Sequence, residues 1–159
     1  MTFAMQHDIE SWVVGGFGHY EAVITAGAGN DNVEVNGPWL DRRNDVKGPH
    51  LSVAVMILWE AVLTNSKTLS LAANLQDATS AVGAGAADFG TALANAVVAT
   101  SDASPNETIR GVTKFAVNLG AARQFLRLQL TANLSATGTD TVKLAAVFVF
   151  GGDDVLPAE

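Results

Sequence analysis

Apolar residues recur with a period of two in the C-terminal third of the chain, most clearly in two runs. The apolar positions of the first run are Leu126, Leu128, Leu130, Ala132 and Leu134, and those of the second are Val142, Leu144, Ala146, Phe148 and Phe150. Such alternation is typical of half-buried β-strands. The intervening segment, residues 135–140, has the Gly, Asp and Ser/Thr composition of a turn. The pattern therefore predicts an antiparallel hairpin with one shared buried face.

The longest β-like stretch lies at residues 50–64. One of its faces carries Val53, Val55, Ile57 and Trp59, and the other carries Ala54, Met56 and Leu58. Because both faces are apolar, we expect a central strand that is covered on two sides, with Trp59 in the core and a partner subunit as a candidate for the second cover. Residues 69–76 alternate again after a turn at 65–67, which predicts a second antiparallel hairpin.

Shorter runs at residues 21–25, 32–35 and 109–119 predict further strands. Residues 91–100 fit either a strand or a short Ala-rich helix, and the β-branched Val97 and Val98 favour the strand. The total is about eight strands separated by turns. This pattern predicts an all-β fold, an antiparallel jelly-roll-like β-sandwich with an irregular N-terminal arm.

The domain organisation follows from the same pattern. Residues 21–152 are expected to form the jelly-roll β-sandwich, and a length of 159 residues fits one domain. Residues 1–20 include the segment Gly15-Gly16-Phe17-Gly18, which no regular element favours, and are interpreted as an N-terminal arm or lead-in. Residues 153–159 are interpreted as an acidic C-terminal tail.

Composition narrows the classes of function. Charged residues make up 16% of the chain, against about 25% in a typical domain. A chain with so little charge is expected to bury further surface in a partner or in a copy of itself. The net charge of −7 argues against nucleic-acid binding, which needs Lys and Arg to neutralise phosphates. The absence of cysteine excludes disulfides and thiolate metal sites.

The sequence also lacks signals for membranes or export. The longest apolar run is shorter than the roughly 20 residues that a spanning helix needs. Residues 1–8 have no basic segment followed by an apolar stretch, so synthesis inside the cell without export is expected. No membrane partner is predicted.

No motif in the chain predicts catalytic, cofactor-binding or metal-binding residues. Residues 14–21 resemble a dinucleotide fingerprint but carry Glu21 where Gly or Ala is required. Residues 27–33 resemble one unit of a calcium-binding nonapeptide repeat, and a single unit does not complete a ligand shell. His7, His19 and His50 are not at metal-ligand spacing. A carboxylate pair of the glycosidase type is an open alternative, and its candidate members are Asp41, Asp45, Glu60 and Glu107.

Aromatic and basic residues in irregular segments are the candidates for contact with a partner. Trp12, Phe17 and Trp39 lie near Gly or Pro, and aromatic side chains are enriched in protein interfaces. Exposed Trp12 and Trp39 could equally stack on sugars, which makes a carbohydrate-binding module or virion adhesin the alternative function. Arg42 and Arg43 form the only basic cluster together with Lys47, and a salt-bridged loop is the simpler interpretation.

The order of these features resembles a known family. The matching segments are Leu51–Val55, Thr68–Gln76, the Ala/Gly-rich Ala81–Thr91, Lys114–Leu119, Ala121–Leu128 and Thr141–Phe150. In this order they are similar to the jelly-roll cement, or decoration, proteins of tailed-bacteriophage capsids, of the Bordetella phage cementing-protein type. The resemblance covers about residues 50–152, rests on strand order and the Ala121–Leu128 run, and involves no catalytic signature.

The resemblance implies a structural virion protein without enzymatic activity or cofactors. It would bind the major capsid protein on the outer surface of an icosahedral capsid and bridge neighbouring capsomers. It implies synthesis in the host bacterial cytoplasm and a homo-oligomer, with a dimer favoured over a trimer.

Overall fold

The computed structural model describes residues 13–43, 49–102, 104–136 and 138–152, and this part of the chain contains nine β-strands and no helix. The strands are β1 (Val14–Thr25), β2 (Glu34–Asn36), β3 (Leu40–Asp41), β4 (Ser52–Thr64), β5 (Thr68–Ala78), β6 (Ala87–Thr100), β7 (Asn106–Asn118), β8 (Phe125–Leu134) and β9 (Thr141–Gly151). They form two antiparallel sheets. Sheet I has the order β1-β9-β4-β7, and sheet II has the order β2-β8-β5-β6, with β3 also paired to β8.

This arrangement is a jelly roll with eight strand positions. β2 and β3 both pair with β8, β2 opposite Gln129–Thr131 and β3 opposite Phe125–Leu126. They therefore act as one interrupted strand, which leaves four positions in each sheet. Two packed four-position sheets with this strand order are the jelly-roll form of the β-sandwich. The predicted fold class is confirmed, and the interruption accounts for nine described strands where about eight were expected.

Both predicted hairpins are wrong. β4 lies in sheet I between β7 and β9, whereas β5 lies in sheet II between β6 and β8. Similarly, β8 belongs to sheet II and β9 to sheet I. The turns after β4 and β8 therefore carry the chain from one sheet to the other. The alternation of apolar residues identified the buried side of each strand, and it contains no information on which sheet that strand joins.

The inner faces of the two sheets build a single core. Its largest fully buried side chains are Phe148, Ile57, Leu63, Leu69, Leu71, Leu75, Leu119, Leu126, Leu128, Leu130, Val53 and Val55. Burying one such side chain contributes about 1.5–3 kcal/mol. Trp59 is buried as predicted, and its indole Nε1 donates to Thr113 Oγ1 at 3.1 Å. The indole lies beneath Gly111, where an added Cβ would be 2.3 Å from the ring.

The first strand begins earlier than the predicted domain boundary. β1 starts at Val14, so residues 14–20, which the sequence assigns to the lead-in, pair with β9. Register shifts between Phe17 and His19 and between Glu21 and Ile24 interrupt the alternation of the strand. Because of these irregularities, the apolar residues of β1 do not follow a period of two. The rest of the predicted arm (residues 1–12) and the predicted tail (153–159) lie outside the described residues.

The ambiguous Ala-rich segment is a strand. β6 pairs with β5, and three register shifts interrupt that pairing. Gly90 lies within β6 at a φ of 75°. By contrast, β7 pairs with β4 in continuous register from Asn106 to Asn118, opposite Thr64 to Ser52. The regular β4–β7 pairing therefore sets the geometry of the outer face of sheet I.

Candidate functional site

Polar side chains line the outer face of sheet II along β2, β8 and β5, and they hydrogen-bond to one another. Gln129 Nε2 donates to Glu34 Oε1 at 2.7 Å and to Asn36 Oδ1 at 3.1 Å. Arg127 Nη2 donates to Gln76 Oε1 at 2.6 Å. The polar groups in this network are therefore satisfied by contacts within the chain.

The outer face of sheet I is apolar over its central part. We define the sheet I patch as Phe17, Tyr20, Met56, Leu58, Val112, Ala145 and Val147. Leu58 of β4 lies opposite Val112 of β7 and Ala145 of β9, and Ala145 lies opposite Tyr20 of β1. The patch therefore crosses all four strands of the sheet.

Four side chains of the sheet I patch are exposed. The exposed fractions are 56% for Phe17, 64% for Tyr20, 42% for Leu58 and 54% for Val112. The sequence explains the exposure, because β4 is apolar on both faces and only one face reaches the core. Single exposed apolar residues need no explanation, whereas a contiguous group of them marks an interaction surface.

An open cleft of about 500 Å³ lies on this patch, and Tyr20, Leu58, Val112 and Ala145 form much of its wall. Its polar edge consists of Glu60, Arg110 and Lys143. An apolar wall with a charged edge suits adhesion to another surface.

The charged edge is a row of ion pairs across three strands. Glu60 Oε2 accepts a hydrogen bond from Arg110 Nε at 2.7 Å, and Lys143 Nζ donates to Glu60 Oε1 at 3.4 Å. The Arg110 guanidinium, with a smaller effect of Lys143, holds the pKa of the Glu60 carboxyl below its ordinary value. Exposed ion pairs of this kind contribute little to stability.

The substitution Glu60→Gln is expected to lower the melting temperature slightly at neutral pH. The folded-state pKa of Glu60 is below its ordinary value of 4.5, so the stabilising effect of its ionised form is present above that value. It is lost as the pH falls through the lowered pKa. Melting curves of both proteins between pH 7 and pH 3 should therefore converge at the acidic end. A constant difference across this range would contradict the ion-pair explanation.

The structure places the predicted interface residues in different environments. Trp12 lies outside the described residues, and Phe17 is part of the sheet I patch. Trp39 is half-buried, with the Arg127 guanidinium 4.6 Å from its ring centroid. Gly83 approaches the indole so closely that an added Cβ would lie 2.7 Å from Nε1. Trp39 therefore makes contacts within the chain.

Arg42 and Arg43 are neighbours with opposite roles. Arg42 is buried, and its guanidinium donates to the carbonyl oxygens of Ala122, His50 and Arg123 at 2.5, 2.7 and 2.9 Å. Arg43 is exposed, and its backbone N–H donates to Asp41 Oδ1 at 2.8 Å. Arg42 thus joins three segments of the fold, while Arg43 is accessible to a partner.

The described carboxylates of the open catalytic alternative have separate partners. Asp41 Oδ2 accepts from Gln124 Nε2 at 2.7 Å, and Glu107 Oε2 accepts from the Asp102 N–H at 3.3 Å. Glu60 is held by its two cations, and Asp45 lies outside the described residues. These contacts give no support to a carboxylate pair. Among residues 13–43, 49–102, 104–136 and 138–152, no group of three or more His, Asp or Glu is arranged to hold a metal ion.

The calcium-like segment after β1 is a turn. Gly27 N–H donates to Asp31 Oδ2 at 2.7 Å, and Asp31 Oδ1 accepts from the Leu134 N–H at 3.0 Å. One oxygen of this carboxylate therefore closes the turn, and the other ties the turn to β8.

Sequence reasoning missed most of the sheet I patch. Of its members, only Phe17 was a candidate; Tyr20, Leu58 and Val112 were not. A signal was present for Leu58, because a strand that is apolar on both faces needs a second cover. No such signal existed for Tyr20, since the register shifts of β1 disturb its alternation.

Comparisons with known proteins give no family. No protein-family model matches the sequence, and no curated protein matches it significantly. The chain is similar to a solved structure of infectious bursal disease virus Gx strain, with 12% sequence identity and a TM-score of 0.41; the match covers 89% of this chain and 33% of that chain. It is also similar to dimeric latent PorU from Porphyromonas gingivalis, with 14% sequence identity and a TM-score of 0.44; the match covers 92% of this chain and 13% of that chain. This chain thus spans a third or less of each. Both TM-scores are below 0.5, so neither likeness assigns a function.

No segment in the part of the chain that the structure describes is a helix with the length and apolar character needed to cross a membrane.

Proposed function

We propose that the chain is a structural protein of a virus particle, a cement or decoration protein on the outer surface of a tailed-bacteriophage capsid. The observation that carries the proposal is the apolar, exposed outer face of sheet I on a fold whose other sheet has a polar outer face. The resemblance of residues 50–152 to capsid cement proteins supports the same assignment. The proposed partner is the major capsid protein, after synthesis in the bacterial cytoplasm, and no enzymatic activity is proposed.

The two faces give a physical basis for adhesion from one side. The hydrogen-bonded polar face of sheet II is suited to water, and the sheet I patch loses water when it meets another protein. Burial of apolar surface is the main favourable contribution to most contacts of this kind. Each contact can be weak, because many copies on one shell act together.

We further propose that the free chain forms a homodimer, because its charged fraction of 16% is low for a domain of this size. A two-fold pair would bury the same surface on both copies. One chain has a mass of 16.5 kDa, and light scattering at micromolar concentration is expected to give twice this mass. A monomer at these concentrations would contradict this part of the proposal.

The main test is binding to capsids that were assembled without the chain. The purified protein is expected to co-sediment with expanded capsids at a saturating, stoichiometric ratio and to raise their thermal stability. Unexpanded capsids and an unrelated β-sandwich protein serve as controls. Absence of saturable binding would exclude the cement function.

The carbohydrate-binding alternative is not favoured by the structure. It needs aromatic rings that are free to stack on sugars, and Trp59 is in the core while Trp39 packs against Arg127 and Gly83. Trp12 lies outside the described residues.

A further inference from the structure

We infer that the sheet I patch is the surface that docks on the capsid, and that its partner presents an apolar area bordered by carboxylates. This inference rests on the proposed function. It adds which face of the chain contacts the capsid, the chemistry of the capsid surface and the residues that contact it.

The first argument is the distribution of charge. The whole chain has a net charge of −7. On the described outer face of sheet I, however, three cations, Arg110, Lys114 and Lys143, accompany one carboxylate, Glu60. The net charge of the described side chains on this face is therefore +2, opposite in sign to that of the whole chain. Protein–protein interfaces bring together surfaces of opposite electrostatic potential, so the partner surface is expected to be acidic.

The second argument is the position of these cations relative to the apolar residues. Lys114 lies opposite Met56. Arg110 and Lys143 lie on either side of Glu60, which is the next outward-facing residue of β4 after Leu58. The cations therefore border the patch and leave its centre apolar. An apolar centre with a polar rim is the usual arrangement of a protein–protein interface.

A second copy of this chain fits the patch less well than an acidic partner. A two-fold, face-to-face pair would bring six cations together with only two carboxylates. Like charges that are juxtaposed in an interface cost several kcal/mol. The proposed homodimer would therefore use another surface.

A lipid surface is also a poorer fit. Anionic head groups attract cations, but Glu60 lies between Arg110 and Lys143 and would face the same head groups. A protein surface can place its carboxylates beside the cations and away from Glu60.

The test uses one substitution in the patch and a matched control in sheet II. Val112→Glu places a carboxylate in the centre of the patch, between Arg110 and Lys114 on the same face of β7. Val97→Glu makes the same change on β6, where Val97 is 59% exposed. Both positions are exposed, so thermal unfolding is expected to show a folded protein in each case. Co-sedimentation with expanded capsids is expected to weaken at least tenfold for Val112→Glu and to be unchanged for Val97→Glu.

A second pair of variants tests the charge. Lys114→Glu is expected to weaken capsid binding several-fold, and raising the salt concentration should weaken wild-type binding. Lys67→Glu changes the net charge equally but lies in the turn between β4 and β5, so its binding should match the wild type. This pair keeps the inference testable even if Val112→Glu does not fold.

The outcomes separate the inference from the proposed function. If the wild type does not bind capsids, the proposed function fails and the inference fails with it. If the wild type, Val112→Glu and Lys114→Glu bind equally, the cement function stands and the docking face is wrong.

Light scattering and sedimentation with vesicles of phosphatidylserine and phosphatidylcholine complete the test. Loss of a dimer in Val112→Glu would assign the patch to a second copy, and vesicle binding that Val112→Glu abolishes would assign it to a lipid surface. Either result would overturn the inference.

Discussion

Arg42→Ala is expected to lower the free energy of unfolding by about 3 kcal/mol. The guanidinium is 4% exposed and donates to three backbone carbonyl oxygens, those of His50, Ala122 and Arg123. His50 precedes β4, and Ala122 and Arg123 belong to the connection between β7 and β8. Removal of the side chain leaves these acceptors buried without their donor and separates two connections that it holds together. Urea denaturation followed by tryptophan fluorescence measures the loss.

Two variants control this prediction. Arg43→Ala should change the free energy of unfolding by no more than about 0.5 kcal/mol, because the side chain is exposed. Arg42→Lys should fall between the wild type and Arg42→Ala, since an ammonium group keeps the charge but not the fork of donors. Equal stability of Arg42→Ala and Arg43→Ala would show that the guanidinium contacts do not hold the two connections.

Gly37→Ala is expected to destabilise the protein by about 3 kcal/mol, the upper part of the usual range for overpacking. Gly37 lies between β2 and β3, and an added Cβ would be 2.0 Å from the carbonyl oxygen of Gly18 in β1. The opposing atom belongs to the backbone, so no side-chain rotation relieves the contact. The Gly37 N–H also donates to Leu128 O at 2.8 Å, which ties this segment to β8. The close approach can be relieved only by moving the interrupted strand away from β1.

Gly29→Ala is the matched control for Gly37→Ala. An added Cβ at Gly29 would meet no atom within 4 Å. Its melting temperature should therefore equal that of the wild type, while that of Gly37→Ala should fall by several degrees. If both variants melt together, the contact between Gly37 and Gly18 is not a constraint on the fold.

The fold class was predictable because most strands bury one face on a common core. The apolar residues from Leu126 to Leu134 in β8 and from Val142 to Phe150 in β9 recur at every second position and are buried, and both strands are where the pattern places them. β1 was largely missed for a local reason, since its glycines and register shifts break the period. The hairpins were wrong for a non-local reason. The turns after β4 and β8 have an ordinary turn composition. This composition is the same whether the next strand joins the same sheet or the opposite one, so it does not distinguish the two.

The candidate site was predictable only in part. The doubly apolar strand at residues 50–64 indicated a second cover. Its outward side chains lie on the outer face of sheet I, where Leu58 is exposed and Met56 is half-buried. Val112 and Tyr20 come from β7 and β1, which are distant in sequence from β4, so only strand pairing places them on the same face as Leu58. The adjacent Arg42 and Arg43 looked equivalent, and their difference arises from carbonyl groups about 80 residues away.

By itself, the sequence determined that the chain is built from β-strands and which side of most of them is apolar, because these properties depend on residues one or two positions apart. It also determined that no cysteine chemistry is available. The tertiary structure alone decided which strands share a sheet, that Arg42 is buried and that the apolar outer face belongs to sheet I. These properties depend on contacts between residues far apart in the chain, and a local pattern of side chains does not encode which distant strand becomes a neighbour.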